Sequence, residues 1–148
     1  MGTSTVHASA VLVGARAVLI QGPSGSGKSS LAMALLQAAE RGELRFARLI
    51  GDDRVHLEAA HGRLVVRPAS ALEGQIEVRG LGIRLMAHEP LAVVGLLVEL
   101  GAAAERLPEA EQQEALLLGV RLPRLAVAAG VDPLPLLMAH FWTDRSPV

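Results

Sequence analysis

Short apolar runs separated by glycine-containing turns predict strands in the first part of the chain. Runs at residues 11–13 and 17–20 are joined by three residues that begin with Gly14, a spacing typical of a β-hairpin. The second run leads directly into a glycine-rich stretch. Residues 29–41 then carry leucine and alanine at helical spacing and end before Gly42, so they predict a helix.

The rest of the chain predicts further strands and one more helix. Residues 46–50 predict a strand that is followed by two acids, and residues 55–57 with 64–66 predict a second hairpin. Residues 91–100 predict a strand that is buried on both faces, and residues 123–127 predict a last strand. The glutamate-rich residues 102–116 predict a solvated stretch of helix and loop. Asp132 before Pro133 has the form of a helix N-cap, which predicts a helix over residues 133–142. No linker or repeat interrupts the pattern, so we expect a single domain over residues 1–148.

Composition narrows the classes of function. Aromatic residues make up 2% of the chain and its net charge is -1, so we expect neither base-stacking platforms nor a basic face for nucleic acid. The absence of cysteine excludes disulfides and thiolate chemistry. The sequence starts without a signal-peptide pattern, and its most apolar run is too short to cross a membrane. We therefore expect a cytoplasmic protein with neither a nucleic-acid nor a membrane partner.

A Gly-x-x-x-x-Gly-Lys-Ser motif follows the first predicted hairpin and opens the first predicted helix. Its glycines let the backbone curl around a phosphate, so that successive N–H groups and the helix dipole face the anion. Lys28 would neutralise the β- and γ-phosphates, and the Ser29 hydroxyl would bind Mg²⁺. The motif predicts a site for ATP and Mg²⁺, formed by Gly22, Pro23, Ser24, Gly25, Ser26, Gly27, Lys28, Ser29 and Ser30.

Two adjacent acids follow the strand that is predicted after this helix. A P-loop kinase needs an acidic group for the metal or for the attacking nucleophile. Asp52 and Asp53 stand where strand ends face the phosphate loop in an open α/β sheet. Adjacent side chains at a strand end point in different directions, so we expect the two carboxylates to have different roles.

Three segments together resemble the HPr kinase/phosphorylase family, in its catalytic domain. The phosphate loop is similar to the family's Gly-x-Ser-Gly-x-Gly-Lys-Ser, and residues 49–53 are similar to its Leu-Val-Ala-Asp-Asp. Residues 76–83, Ile-Glu-Val-Arg-Gly-Leu-Gly-Ile, closely match its Glu-Ile-Arg-Gly-Leu-Gly-Ile stretch, which is the most specific signal. The resemblance implies an α/β fold with a P-loop and a mixed sheet, similar to the phosphoenolpyruvate carboxykinase group. It also implies an ATP-dependent serine kinase acting on HPr, a carrier protein of the phosphotransferase system, with a regulatory role in carbon and nitrogen metabolism.

The resemblance implies roles for the acids and the P-loop serine. Asp53 would take the proton of the attacking seryl hydroxyl. Ser29 and Glu77 would hold Mg²⁺, together with Asp52. These roles suit the chemistry, because phosphoryl transfer depends on positioning and on neutralising charge at the equatorial oxygens.

The resemblance also implies roles for three basic residues. His7 matches the histidine of the family's Thr-x-x-His-Gly-Val-Leu-Val segment, and with Lys28 it would line the phosphates. Arg106 lies in Ala-Glu-Arg-Leu, which is similar to the family's Tyr-Asp-Arg-Leu, and would steady the transferring group. The family's hexamers imply a homo-oligomer, for which the apolar residues 133–142 are a candidate interface.

The chain departs from the family's pattern at three places. It begins close to the catalytic domain and so resembles the short α-proteobacterial form, which lacks the N-terminal regulatory domain. Residues 126–133 stand where the family has Pro-Val-Arg-Pro-Gly-Arg-Asn, a segment linked to the phosphorylase direction, and they contain neither arginine. Since phosphorolysis must bind inorganic phosphate, we expect kinase activity to predominate. Ser30 stands where the family usually has glutamate.

Two other functions stay open on the residues alone. A small-metabolite P-loop kinase would need a lid with arginines that reach the nucleotide, and residues 82–122 form no arginine-rich lid segment. A regulatory module that senses ATP without turnover would need only the phosphate loop. Asp53→Asn separates this module from a kinase, because loss of transfer with nucleotide affinity retained supports catalysis.

Overall fold

The computed structural model describes residues 2–143 as strands, two longer helices and connecting loops. The predicted single domain includes residue 1 and residues 144–148, which lie outside this range. Within the described range, the elements are β1 (Thr3–His7), β2 (Ser9–Val13), β3 (Arg16–Gln21), α1 (Lys28–Glu40), β4 (Ala47–Gly51), β5 (Arg54–Ala60), β6 (Arg63–Pro68), β7 (Gln75–Val78), β8 (Gly82–Leu85), β9 (Ala92–Leu100), β10 (Glu114–Leu117), β11 (Val120–Val127) and α2 (Pro133–Trp142).

Nine of these strands form one mixed sheet, which confirms the predicted α/β class. Its main path runs β1-β5-β6-β9-β3-β2-β4, with β11 also paired to β9 and β10 paired to β11. The strand before the phosphate loop, β3, lies parallel to β9 on one side and antiparallel to β2 on the other. β9 is also parallel to β11, and this central position explains why it is the longest apolar run. β7 and β8 form a separate two-stranded sheet.

The apolar core is divided between the two faces of the sheet. Alternate residues of β3 face opposite ways, so Val18 and Ile20 join a cluster that includes residues of α1 and α2. Ala17 and Leu19 belong to a second cluster on the other face, together with residues of β2, β4, β5, β6, β9 and β11. Burial on both faces holds β3 rigidly, and the phosphate loop follows directly from its end.

The predicted boundaries of both helices agree closely with the structure. Gly27 is the N-cap of α1, with a φ of 97°, and Gly42 follows the helix with a φ of 78°. Asp132 caps α2 as expected, because its Oδ1 accepts a hydrogen bond of 3.1 Å from the backbone N–H of Leu134. Pro133 occupies the first helical position. Within residues 2–143, neither helix is long and apolar enough to cross a membrane.

Two regions differ from the expectation. The prediction missed β1, an edge strand whose exposed and partly buried residues alternate as it pairs antiparallel with β5. The prediction of helix in residues 102–116 was wrong. The last residues of this segment belong to the strand β10, and the residues just before it form one turn of 3-10 helix. β10 pairs with β11 through a two-residue turn whose members, Leu118 and Gly119, have φ values of 49° and 79°. Positive φ at both positions is typical of tight hairpins. The usual sequence signal is asparagine, aspartate or glycine at the first position, so a leucine there does not predict a turn.

Candidate functional site

The phosphate loop is shaped by glycines that no other residue could replace without a shift. Gly25 and Gly27 have φ values of 80° and 97°, a region that L side chains rarely adopt. At Gly22 the constraint is space. A Cβ built there would lie 2.6 Å from Ser26 Oγ and 2.9 Å from the carbonyl oxygen of Leu100. The loop therefore keeps the curled path that directs backbone N–H groups inward.

Lys28 lies over this loop. Its Nζ donates hydrogen bonds to the carbonyl oxygens of Gly22 at 2.9 Å and Pro23 at 3.1 Å. The ammonium group is thus held at the mouth of the cradle by neutral acceptors. An incoming triphosphate would offer it charged acceptors, which make stronger hydrogen bonds.

Asp52 is buried and collects hydrogen bonds from three elements. Its exposed fraction is 4%. Ser29 Oγ, in the first turn of α1, lies 2.8 Å from both of its carboxylate oxygens. Ser9 Oγ donates to Oδ1 at 2.5 Å, and the backbone N–H of Glu77 donates to Oδ2 at 3.2 Å. The carboxylate therefore ties the phosphate loop to β2 and to the small sheet.

This arrangement suits Mg²⁺. A serine hydroxyl and a carboxylate in contact are hard oxygen donors, which Mg²⁺ prefers, and Glu77 lines the adjoining cleft. Within residues 2–143, no group of three or more histidine, cysteine or acidic side chains is clustered closely enough to hold a metal alone. Mg²⁺ is commonly held by one or two carboxylates together with substrate phosphates, so it does not need a larger set of protein ligands.

Asp53 differs from its neighbour in both exposure and backbone. It is exposed and lines the cleft, whereas Asp52 is buried behind it. Its φ is 68°, an uncommon value for a residue with a side chain. The N–H of Arg54 donates to the carbonyl oxygen of Asp52 at 2.8 Å, closing a three-residue turn around Asp53. The N–H of Ala8 donates to the carbonyl oxygen of Asp53 at 3.1 Å, which holds this strained turn in place.

The acids and the phosphate loop meet in one cleft of about 270 Å³. It lies where the end of β4, the start of α1 and the small sheet converge. Its wall includes a second cation, Arg79, besides Lys28. The lining residues are Ser9, Ser24, Gly25, Gly27, Lys28, Ser29, Ser30, Asp53, Glu77 and Arg79.

Six of the residues expected at the site do not line this cleft: the loop residues Gly22, Pro23 and Ser26, the buried Asp52, and the two basic residues His7 and Arg106. His7 is the exposed last residue of β1 and pairs with Arg54, so it lies near Asp53 along the backbone but outside the cleft. Arg106 is exposed in the loop between β9 and β10. That loop is held towards β11, since Arg124 Nη1 donates to the carbonyl oxygen of Gln112 at 2.9 Å.

Ser9 is a site residue that the sequence reasoning missed. It begins β2, has no exposed surface and places its hydroxyl on Asp52. Most buried hydroxyls are hydrogen-bonded, and the partner of this one is Asp52. The available signal was one polar residue at the head of an otherwise apolar strand, and that pattern is too common to identify a site.

The first part of the chain matches a family model. The model of the HPr serine kinase C-terminal domain matches residues 2–88. A protein called HPr kinase/phosphorylase from Streptococcus salivarius is 33% identical over 137 residues, covering 84% of this chain and 42% of that protein. One of the same name from Clostridium beijerinckii is 40% identical over 78 residues, covering 53% of this chain and 24% of that protein. The matches therefore span less than half the length of these relatives.

A solved structure shows the same fold. The HPr(Ser) kinase/phosphatase from Coxiella burnetii superposes with a TM-score of 0.72 at 26% identity. The superposition covers 93% of this chain and 92% of that one. The likeness therefore extends beyond residues 2–88 to the second half of the sheet.

Proposed function

Because this chain belongs to the HPr serine kinase C-terminal domain family, we propose that it is an ATP-dependent serine kinase acting on an HPr-like phosphocarrier protein. The observation that supports the proposal is the difference in burial between two adjacent acids. Asp52 is buried against Ser29, while Asp53 is exposed in the cleft beside Lys28. In this proposal the buried carboxylate would hold a metal ion and the exposed one would accept the substrate proton.

In the proposed reaction, the seryl oxygen of the acceptor attacks the γ-phosphorus of ATP. A bond forms between these two atoms, the bond from the γ-phosphorus to the bridging oxygen breaks, and ADP leaves. Asp53 accepts the hydroxyl proton, because it is the carboxylate that faces the cleft. Lys28 and Arg79 offset the charge on the phosphate oxygens. Mg²⁺, which Ser29, Asp52 and Glu77 would hold, supplies further positive charge at the β- and γ-phosphates.

The remaining assignments belong to the same proposal. The chain forms one catalytic domain, works in the cytoplasm as a homo-oligomer, and regulates carbon and nitrogen metabolism through its acceptor. His7 and Arg106 would contact phosphate only if the bound state brought them to the cleft. The kinase direction is favoured because the turn at residues 128–131 carries no cation that would bind inorganic phosphate.

Asp53→Asn tests the proposed base. The assay mixes the protein with γ-labelled ATP, Mg²⁺ and an HPr-like acceptor protein. We expect transfer to fall by about 10²- to 10⁴-fold, the usual contribution of a general base, while ATP affinity is retained. Glu58→Gln is a matched control, since Glu58 lies on β5 outside the cleft.

The label's position decides the mechanism. Acid-stable phosphate on an acceptor serine supports the proposal, and phosphate on an acceptor histidine contradicts it. If the wild-type protein bound ATP but labelled no acceptor, an ATP-sensing module would be the better description.

A further inference from the structure

A second cavity opens on the other side of the phosphate loop, away from the acids. Its volume is about 170 Å³. Gly25 and Ser26 of the loop form one wall, and the ends of β9 and β11 with the turn into α2 form the other. The lining residues are Gly25, Ser26, Leu100, Gly101, Val127, Ala128, Ala129, Gly130, Val131 and Pro133.

Sheet order places this cavity opposite the reacting groups. From β3, the acids are reached through β2 and then β4, which ends at Gly51 just before Asp52. The cavity is reached in the other direction, through β9 and then β11. A nucleoside triphosphate that puts its γ-phosphate near Asp53 and its β-phosphate at the loop must extend its remaining groups away from Asp53. This cavity lies on that side and is the one that shares Gly25 and Ser26 with the loop itself.

The chemistry of the walls suits a flat, apolar ring. Every side chain of the lining is hydrocarbon or hydrogen, apart from the hydroxyl of Ser26. Ser26 Oγ is buried and has no hydrogen-bond partner among the described residues. An apolar cavity of about 150 Å³ is known to take a benzene ring, so the volume here is adequate for much of a purine.

We propose that this cavity is the nucleobase subsite, and that it distinguishes poorly between purines. The inference rests on the proposed kinase and adds the place and the selectivity of its base site. Pockets that lack convergent polar side chains discriminate weakly, because a wrong substituent leaves no side-chain donor or acceptor unpaired.

Ala129→Phe tests the location. Ala129 is exposed at the rim, so a phenyl ring can cover the cavity without displacing the core. Calorimetry would compare ATP with tripolyphosphate, which has the phosphates but no base. We expect Ala129→Phe to weaken ATP binding by about tenfold or more and to leave tripolyphosphate affinity within about twofold. Unchanged tripolyphosphate binding also shows that the phosphate loop is folded.

Ala15→Phe is the matched control. Ala15 is an exposed alanine in the β2–β3 turn, at the end of β3 opposite the phosphate loop. It should leave the affinities for ATP and tripolyphosphate unchanged. Selectivity is measured on the wild-type protein, where we expect ATP and GTP to bind within about tenfold of one another.

The outcomes separate this inference from the kinase itself. Normal ATP affinity in Ala129→Phe, or an equal loss for ATP and tripolyphosphate, would overturn the location. A preference for one purine beyond tenfold would overturn the poor selectivity. If the wild-type protein bound neither ATP nor tripolyphosphate, the proposed kinase would fail together with this subsite.

Discussion

The two sides of the phosphate loop differ in almost every physical property. On the side of β4, Asp52 is saturated with hydrogen bonds and Asp53 is held in a strained turn. On the side of β11, the walls are small, apolar and almost without polar side-chain atoms. A group that must accept a proton has to be placed accurately, whereas an aromatic ring needs only apolar contact. The phosphate loop lies between these two sides, so an acidic surface and an apolar surface stand within a few residues of one another.

The largest expected effect on ligand binding is that of replacing Lys28, which would bind the phosphates between the two sides. Lys28→Met should weaken ATP and tripolyphosphate equally, by about 10- to 100-fold, because it removes charge-assisted hydrogen bonds. Lys28 is the only lysine of the chain, so an amine-reactive label followed by mass spectrometry reports on it directly. We expect either ligand to protect it from labelling. Arg84→Met, an exposed cation on β8, is the control. Protection by ATP but not by tripolyphosphate would contradict this role.

A smaller effect, confined to the acidic side, is expected for Ser9→Ala. Removing the hydroxyl leaves Asp52 with fewer donors, which should reduce the free energy of unfolding by about 1–3 kcal/mol. Ser9 acts through Asp52 and is therefore a positioning residue. The apparent affinity for Mg²⁺ in the transfer assay should fall, while tripolyphosphate binding without metal should not change.

Two further variants decide whether Ser9 acts through position or through stability alone. Ser9→Thr keeps the hydroxyl and should restore the Mg²⁺ response. Thr5→Val removes a hydroxyl that contacts His56 at 2.7 Å on the sheet edge, and should leave that response unchanged. A Mg²⁺ response in Ser9→Ala equal to that of the wild-type protein would contradict the positioning role.

The smallest effect belongs to the apolar side. Ser26→Ala removes the one polar side-chain atom of the cavity and should change ATP and GTP affinity by less than about fivefold, since a hydrogen bond between neutral groups contributes roughly 1 kcal/mol. Both nucleotides should shift alike in titration calorimetry. A large loss for only one of them would show that Ser26 selects the base.

The comparison also distinguishes the features that the sequence pattern could predict from those that it could not. Residues 22–30 form one continuous segment, and the two acids are adjacent to each other in another. The chemistry of each segment depends on local backbone geometry, so the sequence was enough to predict both segments. Ser9 was missed because its role depends on pairing between β2 and β4, which brings Ala10 opposite Gly51. The short motif around Arg106 predicted a role in the reaction but carries no information on where a long loop lies, and Arg106 is not among the residues that line the cleft. β10 was missed because its turn depends on Leu118 adopting a positive φ.

The sequence by itself determined the strand–loop–helix around the phosphates, the pair of acids and the family, because each depends on residues that are close along the chain. Only the tertiary structure decided which acid is buried. Asp52 turns inward because Ser9, Ser29 and the N–H of Glu77 converge on it from three separate elements. The apolar cavity beside Ser26 was likewise decided by sheet order, since β9 and β11 reach the loop only through long-range pairing.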